Sequence, residues 1–245
     1  MIGTNVIRKK EVPSTNTLAM ELLKKQSLPE GTVIWCENQT AGRGQRGNSW
    51  NSEAGKNLTF TAIVYPHFLK VEDQFMISKV TSLAITDFLS QYSKEVKIKW
   101  PNDIYVKNDK IAGILIENSI MNASFDYVII GIGLNINQDM FPADIPNPTS
   151  LKILTGKDFD LDEAFRSLCG LLDNRYNQLI DYEIDRLNSD YLSRLFRYNA
   201  FYKYQHGREV FSAKITGLDP YGAIVLERQG GELQTYGFTE IEYIL

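Results

Sequence analysis

The sequence predicts an α+β fold: a mixed β-sheet flanked by helices, followed by a small β-barrel-like module at the C-terminal end. Three observations carry this expectation. Short β-branched and aromatic runs alternate with segments of helical period through the first part of the chain. Residues 161–198 keep a largely helical pattern. Beyond His206 the character changes to short strands separated by turn residues. The expected division is therefore a unit over residues 1–200 and a small barrel over 206–245.

Taken in order, Ser14 or Thr15 after Pro13 is a suitable N-cap for a helix carrying Leu18, Leu22 and Leu23. Residues 32–37 read as a strand. A polar, glycine-rich loop over 39–56 separates it from a second strand at 58–65. Ile77, Val80, Ala84 and Phe88 repeat at helical spacing. Residues 96–100 and 104–106 flank the polar Pro101-Asn102-Asp103, and Asn108-Asp109 signals a turn into a strand at 111–117. Residues 127–132 form a further strand, interrupted by Gly131 and Gly133. A proline-rich connection over 141–148 then leads to the helical run. The tail offers strands at 210–215, 223–226 and 233–238, with turns at 218–222 and Gly230-Gly231.

Composition narrows the chemistry. A chain of 245 residues with 43% hydrophobic and 23% charged side chains can bury a full core without disulfides or a structural metal. Its 26 basic and 30 acidic residues leave a net charge of −4, which disfavours a nucleic-acid partner other than a nucleotide. The two cysteines, Cys36 and Cys169, form no CxxC pair, and His67 and His206 are the only histidines. A zinc site or a Ser-His-Asp triad therefore lacks its parts. No apolar run approaches the roughly 20 residues of a membrane span, and no signal sequence opens the chain, so the expected compartment is the cytoplasm.

Two segments concentrate unusual residue types. Gly42-Arg43-Gly44-Gln45-Arg46-Gly47 combines backbone freedom with guanidinium groups, a pattern suited to a phosphate. It lacks the Gly-Lys-Ser/Thr ending of a Walker A loop, and no helical pattern follows it as in a dinucleotide fingerprint. Taken alone, it fits a solvated loop equally well. Trp50 in the same polar stretch suits a covering role, and the segment is expected to be mobile until a ligand orders it. Lys99-Trp100-Pro101-Asn102-Asp103 ends a strand with polar groups. Lys110 alone reads as a hairpin residue, Ser14-Thr15-Asn16 as a helix cap, and Gly131 and Gly133 as a bulge or a close backbone approach.

Together, and in this order, these segments resemble the biotin protein ligases. Ser14-Thr15-Asn16, residues 39–44, Trp50, residues 99–103, residues 110–113 and residues 131–135 carry the resemblance, and the 217–226 tail is similar to that family's C-terminal barrel. The resemblance implies a class II aminoacyl-tRNA synthetase-like catalytic fold with an SH3-like barrel. The implied activity is ATP-dependent attachment of biotin to a lysine of a biotin carboxyl carrier protein, such as an acetyl-CoA carboxylase subunit, through biotinyl-5′-AMP. ATP and Mg²⁺ are the implied cofactors, and the protein would be a monomer or a homodimer. Ser14, Thr15, Asn16, Gln39, Lys110 and Gly113 would bind biotin. Arg43, Gly44, Gln45, Arg46, Trp50, Asn102 and Asn135 would bind ATP and the adenylate, Trp50 closing over the adenine. Arg43, Lys110 and Asp103 would be catalytic, with Asp103 also the magnesium contact.

One residue departs from the pattern: Gln45 stands where many members have arginine, so the loop is one cation short unless Arg46 substitutes. Some members also carry an N-terminal DNA-binding helix-turn-helix. Thirteen residues precede Ser14, which implies the monofunctional form. The alternatives are a lipoate or octanoate ligase or transferase of related fold, against which the 42–47 loop, Trp50 and residues 99–103 argue, and a non-catalytic biotin-binding or regulatory module.

Overall fold

A computed structural model describes residues 1–244, with Arg46 described by its backbone alone. The chain runs β1 (Val6–Val12), α1 (Thr15–Leu23), β2 (Val33–Gln39), β3 (Leu58–Val64), α2 (Phe75–Leu89), β4 (Val96–Lys99), β5 (Asp103–Val106), β6 (Asp109–Met121), β7 (Ser124–Leu134), α3 (Leu151–Thr155), α4 (Leu161–Ile180) and α5 (Ile184–Ser193). It ends in β8 (Phe201–His206), β9 (Glu209–Leu218), β10 (Ile224–Arg228), β11 (Leu233–Tyr236) and β12 (Glu242–Tyr243). The first seven strands form one mixed sheet in the order β1-β2-β3-β7-β6-β5-β4, in which only β1 and β2 run parallel. The remaining five form an antiparallel sheet in the order β11-β10-β9-β8-β12.

The two-residue period of the strands sorts side chains between the faces of the large sheet. Leu58, Phe60, Ala62 and Val64 of β3, with Val128, Ile130, Ile132 and Leu134 of β7, join the main core, which also takes Phe75, Ile77, Val80 and Phe88 of α2 and Leu168 and Leu172 of α4. The alternate residues point the other way. At one end of that second face Ile34, Ile63 and Ile129 pack under α1 through Ala19. Further along, the same alternation presents Thr59, Gly131, Gly133, Gly113, Asp103 and Lys99, all of which line one cavity. The short α1 covers only part of this face, so a trough is left beside it.

The barrel meets the large sheet next to that trough. Trp100 Nε1 donates to Gly222 O at 2.8 Å, and Phe238 packs against both Trp100 and Phe75 with ring centroids 5.4 and 5.7 Å apart. Gly222 sits at φ +90 against the Phe75 ring, a place where a Cβ would collide.

The structure differs from the sequence reading in a few places. β1 is an edge strand with mostly exposed side chains, so it lacks a period-2 apolar signal. The helical run divides into α4 and α5 at Asp181–Glu183, where Tyr182 adopts φ 58. β8 begins at Phe201, ahead of the expected change at His206. The β5–β6 turn is centred on Lys107 and Asn108, one residue before the Asn108-Asp109 signal. β6 and β7 continue past their apolar segments to a tight turn at Asn122 and Ala123, both with positive φ.

Candidate active site

The cavity has a volume of about 380 Å³ and crosses the sheet from Gln39 on β2 to Lys99 on β4. Five inter-strand steps separate these residues, roughly 24 Å at about 4.8 Å per step. Its wall brings together Ser14, Thr15, Asn16, Gln39, Arg43, Gly44, Gln45, Trp50, Asn102, Asp103, Lys110 and Gly113. The side chain of Arg46 lies outside the described residues.

The end near α1 is built of amides and hydroxyls bonded to one another, with the Arg43–Glu117 pair at its edge. Ser14, Thr15 and Asn16 are buried at the start of the helix, where Ser14 makes no side-chain cap bond. Gln39 Oε1 accepts from Thr15 N at 2.8 Å and from Thr15 Oγ1 at 3.1 Å. This leaves the Gln39 Nε2 donors unengaged by that pair. Asn16 Nδ2 donates to Leu115 O at 3.2 Å and to Glu117 Oε2 at 2.8 Å, and Thr61 Oγ1 donates to Asn16 Oδ1 at 2.7 Å. Asn16 also presses on Gly131, where a Cβ would collide with its amide.

Glu117 has no precedent in the sequence reading, yet it joins two of the expected residues. Besides Asn16 it accepts from Arg43 Nη2 at 2.9 Å and Nη1 at 3.2 Å, so the loop arginine is paired with a carboxylate of β6. A lone glutamate late in an apolar strand gives no motif; only the strand alternation that sets it on the trough face could have marked it.

The 42–50 segment is folded on itself. Gly44 N donates to Asn48 O at 2.7 Å and Trp50 N to Gly42 O at 2.9 Å, which closes a small loop around the turn at Gln45–Gly47. The Trp50 indole lies on the trough floor over Gly113 and Gly133, partners on adjacent strands, and a Cβ at Gly133 would collide with it. Trp50 Nε1 is buried without a partner among the described residues.

The charged part of the trough lies on β6, β5 and β4. Lys110 Nζ stands 2.7 Å from Asp103 Oδ1, both half-buried, and 5.8 Å from the Trp50 ring centroid. Asp103 Oδ1 is buried beside that ammonium and makes no hydrogen bond among the described residues. The Lys110 backbone is fixed by the 147–149 segment: Lys110 N donates to Asn147 O at 2.7 Å and Thr149 N to Lys110 O at 2.9 Å. Asn102 Nδ2 donates to Ile114 O at 2.9 Å, tying the strand-ending turn to β6. Lys99 Nζ donates to Tyr105 Oη at 2.9 Å, and burial pulls its ammonium below the usual lysine range, partly offset by Asp103.

Asn135 does not line the trough. It is buried at the end of β7, its Nδ2 donates to Thr149 O at 3.0 Å, and its Oδ1 has no partner. It therefore braces the segment that holds Lys110. Neither histidine belongs to the trough: His67 Nδ1 lies 2.9 Å from Phe125 O, and His206 stands against the Tyr236 ring of the barrel. Phe238, Ile241, Glu242 and Tyr243 complete the wall from the barrel, a contribution the sequence reading missed.

Comparison with known proteins agrees with this layout. The model of the biotin/lipoate A/B protein ligase family matches residues 9–135. A biotin–[acetyl-CoA-carboxylase] ligase of Paracoccus denitrificans is 29% identical over 226 residues, covering 89% of this chain and 92% of that one. The bifunctional ligase/repressor BirA of Bacillus spizizenii is 27% identical over 240 residues, covering 96% of this chain and 73% of the relative. Among solved structures, the biotin protein ligase of Aquifex aeolicus in complex with biotin and ATP superposes with a TM-score of 0.81 at 26% identity, covering 98% of this chain and 100% of that one.

Proposed function

The chain belongs to the biotin/lipoate A/B protein ligase family, and from that premise we infer that it is a biotin protein ligase. It joins biotin to an acceptor protein through biotinyl-5′-AMP. The observation that carries this reading is the polarity of one continuous trough. An amide and hydroxyl end at Ser14, Thr15 and Gln39 leads to a charged pair at Lys110 and Asp103. A substrate with a neutral ureido head and a carboxylate tail fits that order.

In the first step a biotin carboxylate oxygen attacks the α-phosphorus of ATP and pyrophosphate leaves. Positioning and positive charge do most of the work, and no histidine is required. Gln39 Nε2 and the Ser14 hydroxyl would hold the ureido head, with Asn16 as their internally bonded support and Thr15 fixing the Gln39 amide. Gly113 gives the close approach on the floor, and Lys110 would face the carboxylate and α-phosphate. Arg43, Gly44, Gln45, Arg46 and Trp50 would close the loop over the adenylate, and Asn135 would support the ligand pocket from the central sheet, through the segment that fixes Lys110. In the second step a neutral lysine amine of the acceptor attacks the mixed anhydride and AMP leaves.

For magnesium, Asp103 would be the protein ligand. No cluster of three or more acidic, histidine or cysteine side chains stands ready to hold a metal among the described residues. One carboxylate plus nucleotide phosphates is a usual magnesium environment, and Asp103 Oδ1, buried without a hydrogen bond, fits it. When bound there, the ion would neutralise phosphate charge. We assign the acceptor as a biotin carboxyl carrier protein of acetyl-CoA carboxylase, in keeping with the Paracoccus relative. Two separate sheets support a catalytic unit over residues 1–200 and a small barrel over 206–245, with β8 starting a few residues earlier. No helix is long and apolar enough to cross a membrane among the described residues, which suits a cytoplasmic site of action.

The deciding measurement is ATP-dependent incorporation of labelled biotin into a recombinant carrier domain. Transfer of lipoate or octanoate with no transfer of biotin overturns the assignment.

A further inference from the structure

Lys99 is a cation in the trough to which the site residues above give no task. It stands on β4, across the β4–β5 rung from Asp103, and its ammonium lies 4.6 Å from the Tyr105 ring centroid and 5.3 Å from that of Tyr243. Its one hydrogen bond is to the neutral Tyr105 hydroxyl. Lys99 has no carboxylate within ion-pair distance among the described residues. Asp103 is held by Lys110, and Glu242, which lines the same cavity, makes no ion pair with it. The Tyr243 hydroxyl beside it is buried without a partner among the described residues. A largely buried cation facing only aromatic rings and a phenol is costly, and an arriving anion relieves that cost.

The position of Lys99 says which anion. Across the trough the order is the amide and hydroxyl end, then Lys110 on β6, Asp103 on β5 and Lys99 on β4. With the biotin carboxylate entering from the amide end, the attacked α-phosphorus lies near Lys110. The carboxylate oxygen forms its new bond to that phosphorus while the bond to the α–β bridging oxygen breaks. Pyrophosphate carries away the electron pair. An in-line displacement puts this leaving group on the side opposite the nucleophile, toward β4. Gln45 is neutral, so the loop is also one cation short unless Arg46 substitutes.

We propose that Lys99 binds the β- and γ-phosphates of ATP and the departing pyrophosphate, so that the far wall of the trough supplies a cation that Gln45 does not. The Tyr243 hydroxyl is placed to donate to the same phosphates. This assignment rests on the ligase reading.

The test uses the full chain with Lys99→Met, which keeps the aliphatic stem, and Lys99→Arg, which keeps the charge. In biotin-dependent exchange of labelled inorganic pyrophosphate into ATP, Lys99→Met is expected to raise the half-saturating pyrophosphate concentration about ten- to hundredfold, as loss of a charge-assisted contact does. Lys99→Arg should recover most of that loss. Biotin affinity by calorimetry, and transfer to the carrier domain from preformed biotinyl-adenylate, should stay at the wild-type level. Unchanged pyrophosphate dependence in Lys99→Met overturns the proposal, as does an equal loss in transfer from preformed adenylate. If Lys99→Met does not fold, Lys99→Gln takes its place with the same expectation. A wild-type chain that forms no biotinyl-adenylate fails the ligase reading itself, an outcome distinct from any variant result.

Discussion

Arg43 of the glycine-rich loop and Glu117 of β6 close the trough beside Asn16 with a two-pronged ion pair, Nη2 to Oε1 at 2.9 Å and Nη1 to Oε2 at 3.2 Å. The arginine expected to meet phosphate is thus held, without ligand, as a latch. The pair is partly exposed, at 44% for Arg43 and 25% for Glu117, so solvent screening limits it to about 1 kcal/mol, roughly a fivefold effect on an equilibrium. Glu117→Gln is therefore expected to speed tryptic cleavage after Arg43 two- to fivefold in the ligand-free protein. Biotin with ATP should restore protection. Equal cleavage rates in the two proteins would show that the pair does not hold the loop.

Lys110 stands between the two ends of the trough with Asp103 as its counter-ion. Removing a donor aimed at developing phosphate charge costs on the order of 10²–10³ in rate. Lys110→Ala should slow biotin-dependent pyrophosphate release by that factor with an unchanged circular dichroism spectrum. Release at the wild-type rate would take Lys110 out of the chemistry.

Gln45 lines the trough beside Arg43. A guanidinium at this position adds a charged fork within reach of the adenylate phosphate, so Gln45→Arg should lengthen the residence of biotinyl-adenylate. Single-turnover release of labelled adenylate without carrier reads this directly. Release as fast as in the wild type would mean that cations elsewhere in the site already make the contact.

Much of the site was legible because it sits in runs of unusual residues: the 42–47 loop, residues 99–103 and Ser14-Thr15-Asn16. What could not be read was pairing across strands. Gly113 and Gly133 each look like a local irregularity, and only the β6–β7 register makes them neighbours that hollow the floor for an indole. Glu117 became part of the site by the same strand alternation, which no linear motif records. The β1 strand was missed because an edge strand with solvated Arg8, Lys9 and Lys10 carries no apolar period. Asn135, expected at the ligand, serves first to hold the segment behind Lys110.

The helical layer depends on a charged cluster away from the trough. Asp87 of α2 accepts from Arg175 of α4 at 2.7 Å and from Arg194, just after α5, at 2.5 Å. Burial pushes the Asp87 carboxyl up, but the two guanidinium groups together outweigh it and hold the carboxyl below its usual range. A carboxyl depressed in the folded state adds stability above its unfolded value near 3.9 and loses it as pH falls through the folded value. Asp87→Asn should destabilise the protein by about 1.5–3 kcal/mol at pH 7, since it takes the carboxylate from Arg194 and leaves Arg175 with Asp190 alone. The gap to wild type should narrow below about pH 4. A pH-independent difference in urea unfolding would refute the charge argument.

Trp50 gives the last test, because its indole forms part of the floor against which a ligand must lie. Trp35 lies in the core outside the trough, and Trp100, which reaches the trough wall, is fixed by its bond to Gly222 O, so the larger part of a fluorescence response to biotin or ATP should come from Trp50. That response is expected in the wild type and largely lost in Trp50→Phe. Gly133→Ala probes the same contact from beneath. The backbone of β7 tolerates alanine, but the added methyl meets the indole directly, so the ring must lift from the floor. Lifting it opens the loop that should keep water from the mixed anhydride. Gly133→Ala should therefore keep a cooperative thermal transition within a few degrees of wild type. Its ligation should fall roughly tenfold or more, since a misplaced closing group costs one to two decades in rate. Biotinyl-adenylate should also hydrolyse faster in it when no acceptor is present. Normal ligation with a displaced Trp50 emission would show that the indole's place on the glycine floor has no part in catalysis.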